Sequence, residues 1–333
     1  MISLQGGRTR RPRIAITLGD PSGIGPEVAL KAAADRRVRR ACHPVLTGPR
    51  DLWQQFAKLV KVDLSGLELH DIYCPKFNLT PGQECAQSGR IAAESVVAAC
   101  LMALDGAADA MATAPISKRA LALAGYRQTA HTELLAALCG AKHCAMMFAS
   151  GELKVALATI HVPLAKVPGL ITGELISEKL WLLDQALKKL WGVRKPRLAV
   201  LGLNPHAGEQ GLMGAEEERV IAPAVAQAAK QGLLVIGPLS AEAGFRLGQG
   251  GQVDALLAMY HDQGLLPLKT LGGATNITLG LPFVRTSPDH GTAADLAWQN
   301  RADPEPMVKA VLLAAQLAKR GRENNSNQKR KGT

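Results

Sequence analysis

Arg13-Ile-Ala-Ile-Thr-Leu-Gly19 is the first apolar run of the chain, and a turn-rich loop from Asp20 to Gly25 follows it. The run predicts a strand, and Pro26 predicts the start of a helix, because proline suits the first helical turn. Short apolar runs and longer helical stretches then alternate, and Glu174 to Leu190 is the clearest amphipathic helix. This alternation indicates an α/β fold built from parallel strands and crossover helices.

Three further apolar runs lead into a histidine. Ligands bind just beyond the carboxyl ends of strands in open α/β sheets, and imidazole is the commonest metal ligand. Three converging imidazoles would hold a divalent ion with one position open for substrate. A strand-end histidine is also often a hydrogen-bonded structural residue, and spacing alone leaves both interpretations open. The runs are Ala156-Leu-Ala-Thr-Ile-His161, Leu198-Ala-Val-Leu-Gly-Leu-Asn-Pro-His206 and Ala255-Leu-Leu-Ala-Met-Tyr-His261.

Composition restricts the class of protein. The 333 residues suffice for two domains or one large two-lobed unit. No apolar run reaches the roughly 18–20 residues of a membrane span, and the N-terminus lacks the apolar segment of a signal peptide. The six cysteines are scattered and form no Cys-x-x-Cys pair. Unpaired thiols fit a reducing compartment, so we expect a cytoplasmic protein.

The net charge of +11 lies mainly at the two ends of the chain. Four arginines fall between residues 8 and 13, and residues 319–333 carry six basic side chains against one glutamate. The body between them is close to neutral and has no basic face interleaved with aromatic residues, so we expect no nucleic-acid partner. Residues 1–12 and 319–333 are predicted to be a basic disordered arm and tail.

Several polar segments could contact an anion. Gly19-Asp-Pro-Ser-Gly-Ile-Gly-Pro-Glu27 precedes a helix, but it matches neither Gly-x-Gly-x-x-Gly nor a P-loop, so a structural turn is an equal alternative. Thr132 could cap the helix that follows His131, and both could instead donate to a bound anion. Lys269 and Asn276 lie in a Gly-rich segment. Arg285 follows an apolar run, so it should approach the interior and need a partner.

Seven sequence blocks, running in order from about residue 13 to 318, resemble the 4-hydroxythreonine-4-phosphate dehydrogenases of pyridoxal phosphate synthesis. The blocks are Gly19–Glu27, Ala112-Thr-Ala-Pro-Ile-Ser-Lys118, His131-Thr-Glu133, Gly202-Leu-Asn-Pro-His-Ala-Gly-Glu209, Met259-Tyr-His-Asp-Gln-Gly264, Asn276-Ile-Thr-Leu-Gly-Leu-Pro282 and Arg285-Thr-Ser-Pro-Asp-His-Gly-Thr292.

The resemblance implies oxidation of 4-phosphooxy-L-threonine with NAD or NADP, followed by decarboxylation to 3-amino-2-oxopropyl phosphate. It implies one divalent ion (Zn, Mg or Co) on His161, His206 and His261. It places the substrate at five further residues, while leaving the catalytic base and the NAD contacts unassigned. The implied substrate-binding residues are His131, Thr132, Lys269, Asn276 and Arg285.

The resemblance also implies a two-lobed fold like that of isocitrate and isopropylmalate dehydrogenases, with a cleft between the lobes. We expect residues 13–130 with 280–318 in the first lobe, and residues 131–279, carrying the metal ligands, in the second. A homodimer is implied, whose active sites lie at the subunit interface and take histidines from both subunits. No membrane partner is expected.

Two departures from the family pattern keep the substrate open. Gly237-Pro-Leu is followed by Ser240-Ala-Glu242-Ala243, where the family has Pro-Ala-Asp-Thr. The loop between Lys269 and Asn276 looks about two residues shorter than usual. The alternative substrates are 4-phospho-D-threonate and 4-phospho-D-erythronate, the substrates of paralogues with the same signature.

Overall fold

A computed structural model describes residues 10–74, 77–128 and 130–331, with side chains as far as residue 324. Eleven strands form one continuous sheet in the order β3-β2-β1-β4-β11-β10-β5-β6-β9-β7-β8. Their bounds are β1 Arg13–Thr17, β2 His43–Gly48, β3 Glu68–Asp71, β4 Ala110–Ala112, β5 Ala145–Ser150, β6 Leu153–Leu157, β7 Arg197–Leu201, β8 Leu234–Leu239, β9 Ala255–Ala258, β10 Thr275–Leu279 and β11 Val284–Ser287.

Helices cover both faces of this sheet, as the alternating pattern predicts. They are α1 Gly25–Ala34, α2 Arg36–Ala41, α3 Arg50–Val60, α4 Ala86–Leu104, α5 Lys118–Leu123, α6 His131–Cys139, α7 Val167–Leu170, α8 Gly173–Ala186, α9 Ala222–Lys230, α10 Ala241–Gln249, α11 His261–Thr270 and α12 Glu305–Lys331. None of the helices in the described part of the chain is both long and apolar enough to cross a membrane.

The sheet changes direction at its centre. Strands β1–β4 and β11 are parallel neighbours, and β6, β9, β7 and β8 form a second parallel group. Antiparallel β10 and β5 join the two groups. The α/β class is therefore confirmed. The antiparallel strands at the junction connect the two parallel groups into one continuous sheet.

Each half has a core on either face of the sheet. In the first half, α1, α3 and α12 pack on one face, and α4 and α6 pack on the other. In the second half, α8 and α9 lie on one face, and α10 and α11 lie on the other. The lobe boundaries stay a prediction, although Leu134 and Leu135 of α6 join the first-half core, beyond the predicted boundary at residue 131.

The C-terminal segment differs from the prediction. Helix α12 continues to Lys331, through most of the tail predicted to be disordered. Its apolar residues Val308, Val311 and Ala315 anchor it in the core. Basic side chains near a helix C-terminus interact favourably with the helix dipole, so charge alone does not end the helix. Most of the predicted basic arm, residues 1–9, lies outside the described residues.

Close packing of α4 on α5 leads to a first prediction. A Cβ added to Gly89 would lie 2.0 Å from the carbonyl oxygen of Ala120, a backbone atom that cannot rotate away. We expect Gly89→Ala to lower the free energy of unfolding by about 3 kcal/mol, the upper end of typical overpacking costs. Urea denaturation measures this change.

Gly173→Ala is the matched control. Gly173 is also helical, but nothing lies within 4 Å of its Cβ position. We expect this substitution to stabilise the protein by up to about 1 kcal/mol, because alanine restricts the unfolded chain. Equal effects of the two substitutions would contradict the packing argument.

Candidate active site

A cavity of about 210 Å³ lies on one face of the central strands. Alternate residues of a strand point to the same face, and Met146 and Phe148 of β5 line the cavity beside Asn276 of β10. Asn276 lies opposite Phe148 in the sheet register. Arg285 and Ser287 continue the same floor on β11. The predicted substrate residues therefore meet on the face of the sheet rather than beyond its strand ends.

Arg285 is a buried cation without an anion. Its side chain is 1% exposed. The guanidinium donates two hydrogen bonds to Thr113 Oγ1, at 3.1 and 2.6 Å, and one to Thr278 Oγ1 at 2.9 Å. Among the described side chains, no carboxylate forms an ion pair with it. Burial lowers the pKa of Arg285 to about 9, so the charge persists at neutral pH.

Three other residues of the cavity wall carry buried polar atoms without partners. These atoms are His131 Nε2, Asn276 Oδ1 and His290 Nε2. Buried polar atoms in folded proteins are nearly always hydrogen-bonded, since each one left unpaired costs about 1–3 kcal/mol. Unpaired polar atoms around an unneutralised cation indicate a site for a small polar anion.

Helix α6 brings His131 and Thr132 to the cavity. The N-cap residue is Ala130, which provides no side-chain cap. Thr132 therefore lies inside the first turn, and its interpretation as the helix cap is wrong. Both residues line the cavity, where the helix N-terminus presents its partial positive charge.

His131 has an electrostatic role that pH can test. Burial first, and then the charge of Arg285, hold the pKa of His131 well below its usual value of 6.5. Below about pH 6.5, His131 binds a proton in the unfolded chain but stays neutral in the folded protein. The free energy of unfolding therefore falls as the pH falls below that value. We expect His131→Gln to reduce this loss by up to about 1.4 kcal/mol per pH unit.

Chemical denaturation of the ligand-free protein between pH 5 and 7.5 measures this effect. His70→Gln is the matched control, because His70 is exposed at β3, away from the cavity. An unchanged pH slope in His131→Gln would show that another group causes the acid sensitivity.

Two of the three predicted metal ligands meet at the rim of the cavity. The ring centroids of His161 and His261 are 5.6 Å apart. Their strands β6 and β9 are parallel neighbours, as the strand-end argument requires. Burial and the nearby charge of Lys118 lower the pKa of His161, which favours the neutral, metal-binding form. Nδ1 of His261 lies 2.7 Å from Asp262 Oδ1, which leaves Nε2 of His261 available.

His206 follows β7, the next parallel strand, but it does not line the cavity. Its loop is strained, because His206, Ala207, Glu209 and Gln210 all have positive φ. The buried carboxylate of Glu217 holds the loop by accepting hydrogen bonds from the backbone amides of Leu203 and Asn204, both at 2.7 Å. Strain of this kind persists where the surroundings enforce it, often at functional sites.

The residues of one chain only partly fit a divalent ion. His161 and His261 supply two imidazoles, but the part of the chain that the structure describes contains no group of three metal-binding side chains. Spacing suggested three converging histidines, and the path of the loop after β7 keeps His206 apart within the chain.

The remaining predicted residue, Lys269, is an exposed side chain of α11 at the cavity wall. Lys118, Asp289 and His290 also line the cavity and were not predicted as site residues, nor was Thr113, which holds Arg285. They fall within quoted blocks, Ala112–Lys118 and Arg285–Thr292, but no spacing rule distinguishes them from ordinary loop residues.

Hydrogen bonds within the chain hold the loop Gly19–Glu27. Asp20 Oδ1 accepts a hydrogen bond from the amide of Ser22 at 2.8 Å, and the amide of Ile24 donates to Thr292 O at 3.0 Å. A Cβ on Gly23 would lie 2.6 Å from that same oxygen. Close backbone approach therefore explains why residue 23 is glycine.

Comparison with known proteins finds relatives over most of the chain. A family model described as "Pyridoxal phosphate biosynthetic protein PdxA" matches residues 40–314. The chain is 43% identical to 4-hydroxythreonine-4-phosphate dehydrogenase of Geobacter metallireducens, over 93% of this chain and 96% of the relative. It is 41% identical to D-threonate 4-phosphate dehydrogenase of Salmonella typhimurium, over 92% and 97%.

The fold agrees as well. The crystal structure of 4-hydroxythreonine-4-phosphate dehydrogenase from Klebsiella pneumoniae superimposes with a TM-score of 0.85 at 38% identity, covering 92% of this chain and 99% of that one. A family match over most of the chain, with relatives above 40% identity at nearly full coverage, establishes kinship. The chain belongs to the PdxA family of pyridoxal phosphate biosynthetic proteins.

Proposed function

We propose that this protein is a nicotinamide- and metal-dependent dehydrogenase that oxidises the C3 hydroxyl of 4-phosphooxy-L-threonine. The resulting β-keto acid loses carbon dioxide and gives 3-amino-2-oxopropyl phosphate. The observation that carries the proposal is Arg285, a buried cation without a carboxylate partner on a cavity wall with unpaired polar atoms. A small ligand with two anionic ends and internal polar groups satisfies this combination.

The residues of the chain divide the work of binding. Arg285 and Lys269 offset the charges of the phosphate and the carboxylate, while His131 and Asn276 hydrogen-bond the internal groups. Pocket volumes of drug-sized ligands begin near about 300 Å³, so a cavity of about 210 Å³ suits a four-carbon substrate. NAD or NADP accepts the hydride when bound, and a divalent ion (Zn, Mg or Co) would stabilise negative charge on the substrate oxygen.

The homodimer is part of the proposal. Exposed apolar side chains follow each of the three histidines: Leu164 after His161, Leu212 and Met213 after His206, and Leu266 and Leu271 after His261. A contiguous apolar surface marks an interface, and we infer that these side chains contribute to one. We infer that a second copy covers them and that His206 of the partner subunit completes the set begun by His161 and His261. The described residues of one chain contain no group of three metal-binding side chains, which supports this assignment.

A cytoplasmic location is also proposed. All six cysteines are free thiols. Thiols of this kind persist in a reducing compartment.

A second candidate is the oxidation of 4-phospho-D-threonate or 4-phospho-D-erythronate. Of the two departures from the family pattern, Glu242 pairs with Arg246 on the exposed surface of α10, outside the cavity lining. The short loop is different, because it joins Lys269 to Asn276 and both residues line the cavity. Its length therefore sets the spacing of two proposed substrate contacts. A shorter loop can change which acid fits between them, so the two hydroxy acids stay candidate substrates.

A side-by-side assay tests the proposal. The purified enzyme is given each amino and hydroxy substrate with NAD and with NADP, with and without a chelator, and reduced nicotinamide is followed by absorbance. We expect turnover of at least one phosphorylated four-carbon hydroxy acid, lost on chelation and restored by added divalent metal. Reduction with none of these acids would contradict the proposed function.

A further inference from the structure

We propose that His290 is the general base that takes the proton from the substrate hydroxyl. The inference rests on the proposed function, and no sequence pattern assigns a role to this residue. His290 follows β11, five residues after Arg285, and lines the same cavity.

Hydrogen bonding fixes the tautomer of His290. Its Nδ1 lies 3.0 Å from the carbonyl oxygen of Gly291. A carbonyl oxygen only accepts hydrogen bonds, so Nδ1 carries the hydrogen. The neutral ring therefore has its lone pair on Nε2.

That Nε2 atom is shielded from solvent and has no hydrogen-bond partner. A buried acceptor in this state is destabilising unless a ligand supplies a donor. The hydroxyl of a hydroxy-acid substrate is such a donor. Arg285 and His290 both line this cavity of about 210 Å³, so we place the hydroxyl of a four-carbon ligand held at Arg285 beside His290.

The proton transfer completes the oxidation with balanced atoms and electrons. The substrate O–H bond breaks, its proton goes to Nε2 of His290, and the oxygen forms a double bond to carbon. The C–H bond of that carbon breaks, and hydride goes to the oxidised nicotinamide that the proposed function supplies. His290, now protonated on both nitrogens, returns its proton to water after product release. The Gly291 carbonyl stabilises the cationic ring by accepting from Nδ1 throughout.

Two substitutions separate proton transfer from simple binding. His290→Gln retains an acceptor oxygen but has no useful basicity. We expect kcat to fall by about 10²–10⁴-fold, the usual contribution of general base catalysis, with KM changed less than about fivefold. His290→Gly removes the ring, and we expect added imidazole to restore activity in a concentration-dependent manner. Thermal unfolding of both variants checks that the fold is intact.

His70→Gly, at an exposed position outside the cavity, is the control and should neither lose activity nor respond to imidazole. Wild-type kcat in His290→Gln would overturn the inference, and so would a His290→Gly defect that imidazole does not relieve. An inactive wild-type enzyme would instead contradict the proposed function. The two failures are therefore distinguishable.

Discussion

Replacement of Arg285 by methionine should reduce kcat/KM by on the order of 10³-fold while leaving the ligand-free protein at least as stable as the wild type. The loss corresponds to about 4 kcal/mol, within the range for removing one member of a buried charge pair. The stability result follows because the guanidinium is buried without an anion. Methionine fills much of the same volume and removes that uncompensated charge.

Ligand-induced stabilisation measures both effects in one experiment. At a substrate concentration 100 times Kd, the wild type should gain about 2.7 kcal/mol in its free energy of unfolding, whereas Arg285→Met gains nothing at that concentration. Arg246→Met is the matched control, because Arg246 pairs with Glu242 on the exposed face of α10. Its activity and ligand response should equal those of the wild type. Undiminished substrate stabilisation in Arg285→Met would remove Arg285 from the site.

Mixed dimers should recover activity that neither parent variant has. His161→Ala and His206→Ala should each be inactive as homodimers, because every site loses one proposed ligand. In a heterodimer, the His206→Ala subunit retains His161 and His261, and the other subunit supplies its His206. One of two sites is then intact, so doubly tagged, tandem-purified heterodimers should show about half of the wild-type activity.

The control pairs His161→Ala with His261→Ala. These rings lie together in one chain, so both sites of that heterodimer stay damaged and no activity should return. Recovery in this control pair, or failure of the first pair, would show that the ligands are divided differently between subunits. Size-exclusion chromatography with light scattering confirms that each preparation is dimeric.

The sequence predicted those elements whose apolar pattern reflects burial in the core alone. The run Arg13–Gly19 and the helix near Pro26 appear as β1 and α1, and the amphipathic stretch from Glu174 to Leu190 appears as α8 with one wider helical turn after it. Strand β10 lacks the continuous apolar run that is typical of a buried central strand. Its residues Thr-Asn-Ile-Thr-Leu alternate because Asn276 and Thr278 face the site side, so the strand does not look like a buried central one.

The site was predictable only in part, for a physical reason. Burial of Arg285 followed from the apolar run before it, but its lack of a counterion depends on what distant strands bring near it. Likewise, the strand-end pattern predicted the three histidines, which follow neighbouring strands. The loop conformation in which His206 stays out of the cavity lining cannot be read from spacing. The unpaired Nε2 of His290 exists only in three dimensions.

The unbroken sheet restricts how substrate can enter. Five residue pairs join β10 to β5, and Arg285 and Asn276 lie on the strands at that junction. A hinge opening between the halves would have to break this ladder, whereas the loops before α5 and after β11 can move without breaking it. Amide hydrogen exchange should therefore be slowest in β10 and β5 whether or not substrate is bound. Bound substrate should instead slow amide exchange in residues 114–118 and 287–292. Substrate would then enter by movement of these two loops over a rigid sheet.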